Sequence, residues 1–184
     1  MPLRYLLLCG LLAPIVYALS DFTGAEGWVA TTLLGLFGWG VREAAGTRRR
    51  LRIVGGLIIA VAVLSFDERW VIPALSSDET PARVAALVLT AERMVRLVLI
   101  LAAMLAAGST FEGRFHVYTM LSMAAVLLFA MWHLSLPAGT PLAQAVIIDG
   151  VSRYAAQLWY AGLAFGLLKR MADESDPTTP VRCA

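Results

Sequence analysis

Six stretches of apolar residues, separated by short polar segments, divide the chain. They run approximately Tyr5–Ser20, Trp28–Val41, Ile53–Phe66, Val84–Ala107, Val117–Leu136 and Ala143–Leu168. Stretches of this length predict helices, and no segment shows the alternation of apolar and polar residues that is typical of a half-buried strand. Because the connections are short, we expect consecutive helices to be antiparallel neighbours in a compact bundle.

Two of the helices are expected to begin at a Thr-Pro pair. Thr80-Pro81 precedes the fourth stretch and Thr140-Pro141 precedes the sixth. A threonine hydroxyl can accept hydrogen bonds from the free N–H groups at a helix start, and proline suits the first helical position. We therefore expect the fourth helix to begin near Pro81 and the sixth near Pro141.

Composition indicates that these helices lie in a membrane. The 184 residues are 59% hydrophobic and 15% charged, whereas soluble domains are about 45–50% apolar and about 25% charged. At roughly 20 residues per span, the chain is long enough for about six spans. The predicted fold is an all-α polytopic membrane bundle of six transmembrane helices over residues 1–171, followed by a polar cytoplasmic tail over residues 172–184.

The positions of the basic residues predict the orientation of this bundle. Cytoplasmic segments of membrane proteins carry an excess of Lys and Arg. Ten of the fifteen basic residues fall on one side if both termini are cytoplasmic: Arg4, Arg42, Arg48, Arg49, Arg50, Arg52, Arg114, Lys169, Arg170 and Arg182. We therefore predict a multi-pass protein of the bacterial inner membrane with both termini in the cytoplasm.

The first stretch has two interpretations. Arg4 before it and Ala18-Leu19-Ser20 after it fit a secretory signal peptide. We expect a retained signal-anchor helix instead, because the segment before the apolar run carries a single charge.

Charged residues occur inside the fourth and sixth predicted spans. Glu92/Arg96 and Asp149/Arg153 are both acid-then-base pairs four residues apart, the favourable order on one helix face. Arg93 and Arg153 each lie twelve residues after the proline that opens their helix, about 18 Å along it. These charges are therefore expected at similar depth in the outer half of the membrane. We expect Arg93 to be the neighbour of Asp149, and Glu92 or Asp67 that of Arg153.

Together with Asp67 at the end of the third helix and His133 at the end of the fifth, these charges predict a polar, outward-opening cavity. Charged side chains inside a span are costly unless they face protein or water, and they often mark function. In this interpretation Arg93, Arg96 and Arg153 hold an anionic head group, and Glu92 and Asp149 balance their charge. The alternative is a structural ion-pair network, or arginines whose long side chains extend outward to the interface.

The remaining motifs concern packing. Gly162/Gly166, Ala102/Ala106 and Ala103/Ala107 are pairs of small residues four apart, which let helices approach closely within the bundle or between copies of the chain. His116 and His133 are too far apart on one helix to share a metal, and an isolated histidine of this kind is expected to form a hydrogen bond only. We identify no catalytic motif, metal site or cofactor site, and a net charge of +2 gives no reason to expect a nucleic-acid partner.

Three stretches resemble a known family. They are Phe37-Gly38-Trp39-Gly40-Val41-Arg42 with Leu51-Arg52-Ile53-Val54-Gly55-Gly56, Gly113-Arg114-Phe115-His116-Val117-Tyr118-Thr119, and Gly150-Val151-Ser152-Arg153 with Trp159 and Leu167-Leu168-Lys169-Arg170. In this order they are similar to the bacterial six-span membrane proteins known as domain of unknown function 998. The resemblance implies six spans and no settled activity.

The function expected from these observations is non-catalytic binding of a lipid or other amphiphile in the outward-facing cavity. Three alternatives remain open. The first is a small transporter that uses the intramembrane ion pairs, the second is an accessory subunit of a larger membrane complex, and the third is a lipid-modifying enzyme with His133 or Glu92 as base. The expected partners are membrane lipid, a partner membrane subunit or a second copy of the chain.

Overall fold

Six helices and no strand occupy the part of the chain that the structure describes. The structure, a computed structural model, describes residues 2–23, 28–75, 82–111, 113–135 and 142–175; inside these ranges it leaves out the side chains of 20–23, 66–75, 82–87, 89, 133–134, 142–152 and 175. The helices are α1 (Leu3–Thr23), α2 (Trp28–Ala44), α3 (Arg49–Leu75), α4 (Ala82–Gly108), α5 (Arg114–Leu134) and α6 (Leu142–Ser175). The predicted all-helical fold with six helices is therefore confirmed.

Helices α4 and α6 begin where the Thr-Pro pairs predicted. Two helix ends, those of α3 and α6, lie further along the chain than the ends of the apolar stretches. Helices α4 and α6 begin at Ala82 and Leu142, one residue after each proline. We expected α3 to close at Asp67–Arg69, and that expectation is wrong, because the helix continues to Leu75. Helix α6 continues to Ser175, four residues into the predicted tail. Hydropathy marks where a chain is apolar, whereas a helix continues as long as its backbone hydrogen bonds do.

The helices form a closed ring in chain order. Each helix packs against the next one, α6 packs against α1 to close the ring, and α2 also touches α6 across it. Neighbours are antiparallel, because residues near the end of one helix meet residues near the start of the next. Phe37 of α2 lies against Gly10 of α1, for example, and Arg50 of α3 donates a hydrogen bond to the carbonyl oxygen of Ser109, just after α4, at 3.2 Å. The predicted arrangement of consecutive antiparallel neighbours is confirmed.

Helices α2 and α3 cross with their backbones in contact. A methyl group on Gly38 would lie 2.9 Å from the carbonyl oxygen of Gly55, and one on Gly55 would lie 2.6 Å from the carbonyl oxygen of Gly38. A methyl group on Gly40 would similarly lie 2.8 Å from Cβ of Leu6 on α1. These glycines therefore fix how closely α2 can approach both of its neighbours.

The Ala103/Ala107 pair on α4 and the Gly162/Gly166 pair on α6 pack inside the bundle, whereas Ala102 of the Ala102/Ala106 pair is exposed. Gly162 lies directly against the ring of Tyr118 on α5, and a methyl group on Gly166 would be 3.7 Å from the ring of Phe115. Ala103 and Ala107 on α4 are buried. The expectation that Gly162 and Gly166 face another helix is confirmed.

Basic residues gather at one end of the bundle. This end holds the starts of α1, α3 and α5 and the ends of α2, α4 and α6. Its described basic residues are Arg4, Arg42, Arg48, Arg49, Arg50, Arg52, Arg114, Lys169 and Arg170. We refer to it as the basic end.

Buried residues of the described part concentrate towards the basic end. The largest include Phe37, Leu51, Met104, Trp159 and Tyr160, each at most 1% exposed. On α4, the buried residues Ala103, Met104 and Ala107 all lie in the last two turns before Gly108. Among the described side chains, the tightly packed ones therefore lie mainly in the half of the bundle next to the basic end, and we call them the tight core.

One helix of the described part, α5, is long and apolar enough by itself to cross a membrane. Its segment Arg114–Trp132 spans 19 residues, of which 11% are buried inside the bundle, and a shorter apolar segment covers Leu3–Leu19 of α1. Helix α4 carries three charges within five positions, Glu92, Arg93 and Arg96. Length and hydropathy alone therefore support one spanning helix.

The α2–α3 crossing gives a direct prediction for stability. Gly55→Ala should lower the free energy of unfolding by about 1–3 kcal/mol, because the new methyl group overlaps backbone atoms that cannot move aside. The next residue is a matched control, since a methyl group on Gly56 would meet nothing within 4 Å. Gly56→Ala should raise the free energy of unfolding by up to about 1 kcal/mol, the difference in helix propensity. Denaturant unfolding of both variants in detergent micelles measures this, and equal stability would contradict the close crossing.

Candidate functional site

The acid–base pair on α4 forms as its spacing predicts. Arg96 donates a hydrogen bond from Nη2 to Oε1 of Glu92 at 3.0 Å. The two side chains are 15% and 12% exposed respectively, so the pair is largely withdrawn from the surface. Since each charge compensates the other, the pair as a whole is neutral.

Tyr160 on α6 lies at the inner boundary of this polar region. Its side chain is 1% exposed and packs edge-on against Phe37 of α2, with ring centroids 6.5 Å apart. The guanidinium of Arg96 is within electrostatic reach of its hydroxyl group. Arg96 of α4 and Tyr160 of α6 are therefore close enough to interact electrostatically, although these two helices are not neighbours in the ring.

Two buried polar atoms on α6 lack hydrogen-bond partners among the described residues. They are the hydroxyl oxygen of Tyr160 and the side-chain carbonyl oxygen Oε1 of Gln157. Residues three apart on a helix lie on the same face, so both atoms belong to one side of α6. A buried polar group without a partner costs about 1–3 kcal/mol of stability. Two such groups on one face indicate a position where a bound molecule would supply the missing hydrogen bonds. We call Glu92, Arg96, Gln157 and Tyr160 the interior polar cluster.

Arg153 makes a different contact from the one its sequence position suggested. Its Nη1 donates a hydrogen bond to the hydroxyl oxygen of Tyr17 on α1 at 3.3 Å, and its own side chain is exposed. The neighbouring Tyr154 packs edge-on against the ring of Tyr17, at 5.7 Å. We expected Glu92 or Asp67 as the partner of Arg153. Glu92 is paired with Arg96 on its own helix, so this described contact of Arg153 joins α6 to α1.

The other predicted site residues are placed only in part. Arg93 is exposed on α4, on the turn that carries Glu92, and so lies outside the buried cluster with Arg96. Asp67, His133 and Asp149 lie on α3, α5 and α6, and their side chains are outside the described residues. The expected contact between Arg93 and Asp149 stays a prediction.

His116 at the basic end forms the hydrogen bond expected of an isolated histidine. Nδ1 of His116 is 2.7 Å from the carbonyl oxygen of Gly108, which ties the start of α5 to the end of α4. Two further polar contacts join α5 to α6. Tyr118 donates its hydroxyl to the carbonyl oxygen of Leu158 at 2.6 Å, and Nε1 of Trp159 donates to Oγ1 of Thr119 at 3.3 Å.

Sequence reasoning missed Tyr160 and Tyr17 as members of the polar region. A tyrosine in an apolar helix resembles an ordinary core aromatic residue. For Tyr160 a signal was present, because Arg153, Gln157 and Tyr160 follow one another at intervals of four and three on one face of α6. For Tyr17 no local signal exists, since its partner Arg153 lies 136 residues away in the chain.

The chemistry of the interior polar cluster is hydrogen bonding. It offers a guanidinium, a phenol and an amide oxygen around a neutral ion pair. No group of three or more His, Cys, Asp or Glu side chains that could hold a metal ion occurs among the described residues.

Comparisons of the chain with protein-family models, with curated proteins and with solved structures found no match.

Removing one member of the Glu92–Arg96 pair should destabilise the protein more than removing both. Glu92→Gln or Arg96→Gln leaves one charge without its partner in a shielded place, and we expect each to lower the free energy of unfolding by about 3 kcal/mol. The double variant should recover a large part of that loss. Unfolding in detergent measures all three variants.

The matched control is the pair Arg170–Glu174 on α6, which has the same spacing and the same 3.0 Å contact but side chains 40% and 67% exposed. Its single variants should change the free energy of unfolding by at most about 1 kcal/mol. Similar losses for the two pairs would contradict the shielded position of Glu92 and Arg96.

Two tyrosine hydroxyls should differ in their effect on stability. Tyr118→Phe removes a hydrogen bond to Leu158 and should lower the free energy of unfolding by about 1 kcal/mol. Tyr160→Phe removes a buried hydroxyl that lacks a partner among the described residues, and should leave stability unchanged or raise it. A larger loss for Tyr160→Phe than for Tyr118→Phe would contradict this assignment.

Proposed function

We propose that the chain is a multi-pass protein of the bacterial inner membrane whose six helices all cross the bilayer. The main support comes from the outer surface of the bundle. Large apolar side chains more than a third exposed occur on every helix, for example Leu12 on α1, Trp39 on α2, Val63 on α3, Val98 on α4, Leu121 on α5 and Phe165 on α6. A soluble monomer rarely exposes an apolar patch of more than a few hundred Å², whereas lipid tails are a suitable environment for such a surface.

The regular spacing of these side chains supports the same proposal. On α1 the exposed apolar residues are Tyr5, Leu8, Leu12, Ile15 and Leu19, at alternating intervals of three and four. This spacing forms a continuous apolar stripe along one helix face, and the stripe faces outward. The buried interior is also largely apolar, apart from Thr119 and the interior polar cluster, so what sets this bundle apart from a soluble one is its apolar outer surface.

The basic end supports the proposed orientation. Nine described basic residues lie there, at the side where α1 begins and α6 ends. An excess of Lys and Arg in short segments next to membrane helices is typical of the cytoplasmic side. Both termini are therefore assigned to the cytoplasm.

The function that we propose is non-catalytic binding of an amphiphile by the interior polar cluster. The observation that carries it is the depth of the cluster. Arg96 lies 14 residues after Ala82 and 12 before Gly108, about 21 Å from the start of α4. Ionisable residues at such depth face the interior and commonly belong to a substrate or ion pathway. The tight core on the basic side of the cluster gives a ligand access from the outer side, where Arg93 and Arg153 would meet it first.

A second candidate function is a small transporter. The Glu92–Arg96 pair favours it, because a shielded ion pair near the middle of a span can change partners as a substrate or proton passes. An accessory subunit and a lipid-modifying enzyme are the other candidates. The cluster supports the enzyme least, since it joins no nucleophile to a base among the described residues.

Membership of the six-span family known as domain of unknown function 998 is part of the proposal. Residues of the three resembling stretches make contacts between helices. Gly38 meets Gly55 at the α2–α3 crossing, Tyr118 bonds to α6, and Trp159 bonds to Thr119. These stretches would then be shared because they hold the bundle together.

Labelling of single cysteines tests the six-span topology. In a background with Cys9 and Cys183 replaced by alanine, Ser135→Cys and Ser109→Cys place thiols at opposite ends of α5, both at exposed positions. In intact spheroplasts, a membrane-impermeant maleimide should label position 135 and leave position 109 unlabelled until the membrane is permeabilised. Labelling of position 109 in intact cells would contradict the proposed orientation.

Lipid mass spectrometry of protein purified from native membranes separates the candidate functions. A defined amphiphile that co-purifies with the wild type and is lost from Arg96→Gln is the result we expect. A stoichiometric protein partner would instead favour the accessory subunit. Absence of both would leave the transporter, which a flux assay in vesicles then tests.

A further inference from the structure

We propose that Gln157, Tyr160 and Arg96 form the head-group subsite of this protein and that its ligand is an uncharged amphiphile with a free hydroxyl group. This inference rests on the proposed function, and it specifies the chemical class of the ligand.

The charge of the subsite argues for an uncharged ligand. Arg96 would attract an anion if its charge were free, but Glu92 lies 3.0 Å from its guanidinium and compensates it. An anionic head group would have to displace Glu92 or lie beside it, and like charges in a shielded environment repel strongly. A neutral head group leaves the pair of Glu92 and Arg96 intact.

The hydrogen-bonding groups argue for a hydroxyl. Oε1 of Gln157 is an acceptor and needs a donor, whereas the phenol of Tyr160 can donate. Both atoms are buried and lack partners among the described residues. A hydroxyl group both donates and accepts, so it can satisfy the two atoms at once. A ketone, quinone or ester carbonyl only accepts, and it would leave Oε1 of Gln157 unsatisfied.

The walls of the subsite fix its depth. Tyr160 packs against Phe37 and Trp159, and all three residues are at most 1% exposed. A ligand therefore reaches Tyr160 with its polar end first and cannot pass towards the basic end. Its acyl or alkyl chains extend back towards the outer half of the bundle.

Three lipids with the same acyl chains test the inference on full-length protein in detergent micelles. They are a diacylglycerol, its ether in which the hydroxyl is methylated, and the corresponding phosphatidic acid. Binding is measured by native mass spectrometry or by quenching of tryptophan fluorescence. The diacylglycerol should bind at least about tenfold more tightly than the ether, which can no longer donate to Gln157, and more tightly than the anionic phosphatidic acid.

Two variants connect this selectivity to the named residues. Gln157→Leu and Tyr160→Phe should each weaken diacylglycerol binding about tenfold, and Gln157→Leu should also remove the preference over the methyl ether. Tyr118→Phe, whose hydroxyl bonds to Leu158 away from the cluster, should bind the diacylglycerol as the wild type does. If Tyr160→Phe fails to fold, the binding of the diacylglycerol and its methyl ether to Gln157→Leu still tests the inference.

Equal binding of the diacylglycerol and its ether would overturn the assignment of a hydroxyl, and tighter binding of phosphatidic acid would overturn the assignment of an uncharged ligand. Binding of none of the three lipids would overturn the subsite as well. The proposed function would survive that last result if another amphiphile co-purifies with the wild type and is lost from Arg96→Gln.

Discussion

Helix α2 touches both of its neighbours at points where a single methyl group does not fit. Gly38 meets the backbone of α3, and Gly40 meets the backbone of α1. In a bilayer, apolar side chains gain little by leaving lipid for protein, so close packing of this kind and hydrogen bonds between helices provide much of the attraction. The hydrogen bonds from Tyr118 to Leu158 and from Trp159 to Thr119 hold α5 and α6 together. Together these contacts hold the half of the bundle next to the basic end as a tight core.

The candidate site follows from where that core stops. Tyr160 and Phe37 close the interior on the basic side, and Glu92 and Arg96 lie beyond them on α4. A polar group at this level cannot reach solvent through the core, so it must be satisfied by another interior group or by a ligand. Glu92 and Arg96 bond to one another, whereas Gln157 and Tyr160 each keep a polar atom without a partner among the described residues. The packing of the core thus determines both the position of the site and its character as a neutral hydrogen-bonding site.

The sequence predicted the local features and missed the contacts between distant helices. Thr-Pro pairs located the starts of α4 and α6 within one residue, because the chemistry of a helix start is local. The spacing of Glu92 and Arg96 predicted their pair for the same reason. Hydropathy placed the end of α3 too early, since a helix can continue through charged residues. The partner of Arg153 is Tyr17 on α1, and only the closing of the ring by α1 and α6 brings these two residues together. The burial of Tyr160 likewise depends on Phe37, which no pattern within α6 reveals.

The placement of the apolar outer surface of the bundle against lipid is the claim on which the whole account depends. Accessibility of nitroxide spin labels tests it directly in lipid bilayers. Labels at Val98 and Leu121, which are 63% and 66% exposed on the outer surface of α4 and α5, should collide often with oxygen, which concentrates in lipid, and rarely with a water-soluble nickel chelate. A label at the exposed Arg49 of the basic end should show the opposite preference. Frequent collision of the chelate with labels at Val98 and Leu121 would mean that these surfaces face water, and it would contradict the account.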